Sequence, residues 1–67
     1  MNGTEAPRAA MLTPRDLADR WRVPQRTLGQ WRYQGSGPAY IKIGGAVRYR
    51  AADVEAYENE HVVGVSA

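Results

Sequence analysis

The sequence predicts a mainly α domain with a small β-hairpin, in the order helix, helix, two-stranded wing, helix. Three observations carry that expectation. Apolar residues recur at helical spacing in three stretches. The first two stretches each open on a proline, and between the second and the third the period changes from 3.6 to 2 around Gly44-Gly45-Ala46.

Helix one begins at Pro14. Thr13 supplies the N-cap, Pro14 suits the first helical position, and Asp16 stands where the acid of a capping box belongs. Leu17, Ala18 and Trp21 then form one apolar stripe, and the helix ends near Trp21. Residues 1–11 mix Gly, Pro, Ala and polar residues without periodicity, so a flexible arm is expected there. Arg22-Val23 is a very short connection. Pro24 again offers a first-turn proline, and Thr27, Leu28 and Trp31 continue at helical spacing until Gly35. Two helices joined so closely cross steeply, with Ala18 as the small contact that lets their backbones approach, which describes a helix-turn-helix.

After the loop residues Gly35-Ser36-Gly37-Pro38, the stretches Tyr40–Ile43 and Val47–Arg50 alternate. The expected inner face holds Ile41, Ile43, Val47 and Tyr49, with Lys42, Arg48 and Arg50 outside and a glycine-rich tip that needs positive φ. From Ala51 to about His61 the helical period returns, with Val54, Tyr57 and His61 on one stripe. The domain is thus expected over residues 12–61, followed by a tail at 62–67.

Composition removes several function classes from the expectation. The 67 residues contain no cysteine, hence no disulfide, thiolate zinc site or sulfur nucleophile, which fits a reducing, intracellular setting. A lone His61 is expected to pack at a helix end rather than hold a metal, and no cofactor is expected. The four acids of helix three read as a solvated face, because nothing places a nucleophile or pocket beside them, so no enzymatic activity is expected. No leader is evident, and no apolar run is long enough to span a membrane.

The formal net charge is only +2, but the charges segregate. Between Pro14 and Arg50 there are eight cations against Asp16 and Asp19, which makes +6, whereas Asp53, Glu55, Glu58 and Glu60 make the remainder −4. A basic face on a small domain attracts polyanions, and nucleic acid is the common one inside a cell. Helix two is the expected reader, since Gln25, Arg26, Gly29, Gln30 and Tyr33 lie opposite the Leu28 and Trp31 stripe. Arg pairs with guanine and Gln with adenine in the major groove. Arg32, Lys42, Arg48 and Arg50 are expected at phosphates or in the minor groove, with at least one of the four pairing with Glu55 or Glu58 instead. Trp21, Trp31, Tyr49 and Tyr57 lie on inner stripes and are expected in the core rather than as a stacking platform for single strands.

Leu12-Thr13-Pro14, Leu17-Ala18, Val23, Arg26-Thr27-Leu28, Trp31, Ile43-Gly44-Gly45, Arg48-Tyr49-Arg50 and Asp53-Val54-Glu55-Ala56-Tyr57 together resemble the MerR-like excisionase group. The resemblance implies a winged helix-turn-helix that binds double-stranded DNA in a bacterial host cell. Its members act as phage excisionases (recombination directionality factors) or, alternatively, as AlpA-type transcription regulators. For an excisionase it further implies adjacent direct repeats, bent DNA, a phage integrase as partner and neighbouring copies of the protein arranged head to tail. No long dimerisation helix follows the wing, as it does in full MerR regulators. Two positions depart from the group's pattern. Arg22 stands where Gly is frequent, so either Arg22 holds a strained turn at a cost of about 1 kcal/mol or the turn differs. Pro24 stands where Ser or Thr is usual and has no hydroxyl to offer a phosphate. An alternative of another class is a protein-interaction module whose basic face meets an acidic partner.

Overall fold

The computed structural model of the chain describes residues 10–64. Six elements follow one another: β1 (Met11–Leu12), α1 (Pro14–Trp21), α2 (Gln25–Gln34), β2 (Ile41–Ile43), β3 (Ala46–Arg50) and α3 (Ala51–Glu60). This is the expected helix, helix, wing, helix order with one strand added. Residues 1–9 of the expected arm and 65–67 of the expected tail lie outside the described residues. Met11 does not belong to an arm. It pairs with Arg50, and Leu12 pairs with Tyr49, so the sheet is three-stranded and antiparallel in the order β1-β3-β2. The Ala51 N–H donates to the Ala10 carbonyl over 2.8 Å and continues that ladder into the start of α3.

Local chemistry places α1 where the sequence puts it. The Asp16 N–H donates to Thr13 Oγ1 and the Thr13 N–H donates to Asp16 Oδ2, both over 3.0 Å, closing a capping box with Pro14 inside it. The Thr13 backbone and hydroxyl bonds hold the Asp16 carboxyl below its ordinary value. Both helices of the pair end in the same way. At the end of α1, Val23 N–H reaches Ala18 O and Arg22 N–H reaches Asp19 O; at the end of α2, Ser36 N–H reaches Trp31 O and Gly35 N–H reaches Arg32 O. This motif demands a left-handed residue. Gly35 adopts it at φ 75° without a Cβ clash, whereas Arg22 adopts it at φ 57° as a side-chain-bearing residue. Arg22 therefore holds the strained turn. Pro24 is the residue before the second helix rather than its first, with extended backbone (φ −62°, ψ 142°) and no side-chain cap.

The core is small. Leu17 and Ala18 of α1, Leu28 of α2, Tyr49 of β3 and Val54 of α3 are buried, with Leu12, Trp21, Val23, Trp31 and Val47 packed around them. Ala18 is buried in the same core cluster as Leu28 of α2. Trp21, Trp31 and Tyr57 form a half-buried cluster whose ring centroids are 5.5–6.3 Å apart, and His61 stacks on Tyr57 at 4.0 Å. These rings pack against one another beside the core. His61 Nδ1 also lies 2.7 Å from the Tyr57 carbonyl, which ties the imidazole to the end of α3.

The wing's faces differ from the expectation, and the turn explains why. Gly44 and Gly45, at φ 56° and 86°, make a two-residue connection, so Ile43 pairs with Ala46, Lys42 with Val47 and Ile41 with Arg48. A tip of three residues, Gly44-Gly45-Ala46, would have set Ile43 opposite Val47. The shift of one residue turns β2 over, because directly opposed residues share a face. Lys42 thus shares the face of Val47 and buried Tyr49, while Ile41 and Ile43 share the face of Arg48 and Arg50. Ile43, expected inside, is 60% exposed.

Candidate nucleic-acid interface

The register of α2 against the core decides which of its side chains are available. Leu28 is fully buried and Trp31 half-buried on one side, and on the opposite side Arg26, Gln30 and Tyr33 are exposed in an i, i+4, i+7 row. Tyr33 is 92% exposed. Gln25 is exposed at the N-terminal end of the helix. Gly29 borders the row, and a Cβ there would meet only the Arg32 guanidinium, at an ordinary 3.5 Å. The structure therefore brings Gln25, Arg26, Gln30 and Tyr33 together on one helix. Pro24 gives the first backbone N–H groups of α2 no side-chain acceptor, leaving that end of the helix electropositive.

Arg32 has a different setting. It is half-buried, its guanidinium donates to the Tyr49 hydroxyl over 2.6 Å, and it lies 5.8 Å from the centre of the Tyr40 ring. It ties α2 to the wing. Tyr40 and Tyr49 are themselves neighbours at 6.1 Å, so Tyr40 belongs to this joint although it is partly exposed.

On the wing, Lys42 is exposed on one face and Arg50 on the other. Arg48 is half-buried, with one N–H donated to the Val47 carbonyl. Arg50 pairs with Asp53 over 2.8 Å. Among the described residues none of the four expected phosphate contacts pairs with Glu55 or Glu58, contrary to the expectation; Arg50 is matched with Asp53 instead. Glu58 instead takes two N–H bonds of Arg20 at 2.9 Å each and a third from the Trp21 indole. The Arg20 guanidinium first, and the Trp21 N–H second, hold the Glu58 carboxyl below the ordinary glutamate value, and Glu58 raises Arg20 in turn. These two pairs join cationic and acidic segments that the sequence separates, and so reduce the contrast between them. Among the described residues, Arg26, Lys42 and Arg48 form no ion pair.

Among the described residues there is no group of three His, Cys, Asp or Glu side chains placed to hold a metal, and no helix long and apolar enough to cross a membrane. The missed features are the Arg20–Glu58–Trp21 clamp and the Arg32–Tyr49 joint, whose partners are up to 38 residues apart.

Comparison with known proteins agrees with this geometry. No curated protein and no solved structure matches the chain. A family model described as a helix-turn-helix domain matches residues 11–62, from the first residue of β1 to just past α3. That span includes the paired helices, the wing and the exposed row of α2. The chain belongs to this family of helix-turn-helix domains and is built to bind DNA.

Proposed function

We propose that the protein is a sequence-specific double-stranded DNA-binding excisionase. The observation that carries the reading is the exposed row of Arg26, Gln30 and Tyr33, held outward by Leu28 and Trp31 and adjoined by a hairpin whose charged side chains, Lys42, Arg48 and Arg50, are all cationic. α2 lies in the major groove, with Arg26 and Gln30 on base edges. Lys42 and Arg48 hold phosphates, and the uncapped start of α2 accepts another. Arg50 serves the backbone only in exchange for its Asp53 pair.

The protein carries out no bond chemistry in this reading. It occupies adjacent direct repeats and bends the DNA so that a phage integrase assembles for excision. Bending a site of 20–30 base pairs by 40–90° costs on the order of 1–6 kcal/mol, which several protomers offset together. Neighbouring copies meet head to tail, an arrangement that matches direct repeats and leaves an open array. With Glu58 and Asp53 engaged inside the protomer, exposed Glu55 and Glu60 are the acids of α3 left to face a neighbour's cations.

The test compares one and two adjacent sites in duplexes selected from a random pool, followed by an excision assay with a candidate phage integrase. The reading expects cooperative occupancy, reduced by Glu55→Lys with Glu60→Lys, and integrase turned toward excision. Specific binding without any effect on integrase, but with changed transcription from a nearby promoter, would favour the AlpA-type regulator. Absence of duplex binding at moderate salt would leave the protein-interaction module.

A further inference from the structure

The tip of the wing carries an apolar side chain that the fold does not use. Ile43 ends β2 at 60% exposure, opposite the small Ala46. Beyond it the chain turns through Gly44 and Gly45, where even an added Cβ would meet nothing within 4 Å. The tip is therefore slim and bare, with Ile43 as its one large side chain. An aliphatic group so placed gains free energy when something covers it.

The surroundings specify what that cover is. Lys42 flanks Ile43 on one face of the hairpin, Arg48 and Arg50 share its own face, and no acid occurs from Tyr40 to Arg50. The matching surface has apolar walls between two lines of negative charge. The minor groove of duplex DNA has this form, with sugar rings lining a groove about 6 Å wide between the two phosphate backbones.

We propose that Ile43 is a wedge with which the wing enters the minor groove beside the site read by α2, opening one base step and bending the duplex. The proposal rests on the DNA-binding reading above and adds to it the residue that deforms the DNA. Apolar side chains set between base steps kink DNA by about 20–90°. Gly44 and Gly45 let the backbone follow Ile43 without a steric stop. Because the contact is uncharged, removing it leaves the salt dependence of binding unchanged, unlike removal of Lys42 or Arg48.

The experiment uses the full chain and a duplex selected from a random pool, with 2-aminopurine placed at successive steps on either side of the α2 site and a donor–acceptor pair on the duplex ends. The wild-type chain should raise 2-aminopurine emission at one step and bend the duplex. Ile43→Ser should abolish that rise, reduce the bend by about 20° or more, and weaken binding about tenfold with the salt slope intact. Ile43→Met should keep all three. Thermal melting checks that the exposed substitution leaves the fold in place. An Ile43→Ser chain that bends and binds like wild type would overturn the wedge, as would weaker binding with the emission rise intact. Normal DNA binding with loss of integrase-dependent excision would do the same and assign Ile43 to a protein contact. Arg26→Ala on the same duplex separates the two ideas: if it loses the selected site while Ile43→Ser changes nothing, only the wedge fails, whereas a pool that yields no preferred duplex defeats both.

Discussion

The guanidinium of Arg32 donates to the hydroxyl of Tyr49, whose ring is buried at the centre of the fold, and so joins the reading helix to the wing. The sequence presents Arg32 as one of four cations for phosphate. The structure gives it a structural partner as well. Arg32→Ala should destabilise the chain by about 1–3 kcal/mol, because a buried hydroxyl loses its partner. In a Tyr49→Phe background the same substitution should cost clearly less. Urea unfolding of the four chains measures this cycle. Loss of DNA affinity by Arg32→Ala with unchanged stability would return Arg32 to a purely phosphate-binding role.

Glu58 provides a pH-dependent contact. Its carboxyl is held below the ordinary glutamate value by Arg20 and then by Trp21, so its contribution to stability is complete above that ordinary value. It is lost as pH falls through the lowered value. The Trp21 indole N–H resonance reports this directly, since the indole donates to Glu58. The resonance should shift with a midpoint below the ordinary value in the natural chain, and Arg20→Ala should move the midpoint upward. A midpoint that ignores Arg20→Ala would mean that the pair does not hold the carboxylate in solution.

Two backbone positions should accept stabilising changes. Arg22→Gly removes the left-handed strain at φ 57° and should add roughly 0.5–1 kcal/mol, net of the extra freedom glycine gives the unfolded chain. Gly29→Ala should add up to about 1 kcal/mol, because its Cβ meets nothing closer than 3.5 Å. Denaturant midpoints check both. If Gly29→Ala stabilises the chain but weakens specific binding at least tenfold, DNA approaches the α2 backbone closely at that position.

Legibility in the sequence followed the range of the interactions involved. Thr13, Pro14 and Asp16 form a cap within four residues, and α1 begins where they place it. Leu28 and Trp31 orient α2 through its own period, which is why the exposed row of Arg26, Gln30 and Tyr33 was readable in advance. β1 was not, since two residues cannot display a period and its evidence lies far along the chain in Tyr49 and Arg50. The wing shows how little separates a right reading from a wrong one. Counting Ala46 in the tip rather than in β3 inverted β2 and hid Ile43's exposure. Charge segregation along the chain was visible, but the Arg20–Glu58 and Arg50–Asp53 pairs that partly cancel it depend on how α3 packs.

The most direct test of the account is the discrimination between a selected duplex and a random one by the natural chain, Arg26→Ala and Gln30→Ala, at one fixed salt concentration. If α2 reads base edges, each substitution should cost about 1–3 kcal/mol on the selected duplex and clearly less on the random one, so that the ratio of the two affinities falls. Equal losses on both duplexes, or none on either, would contradict base reading by this face of α2.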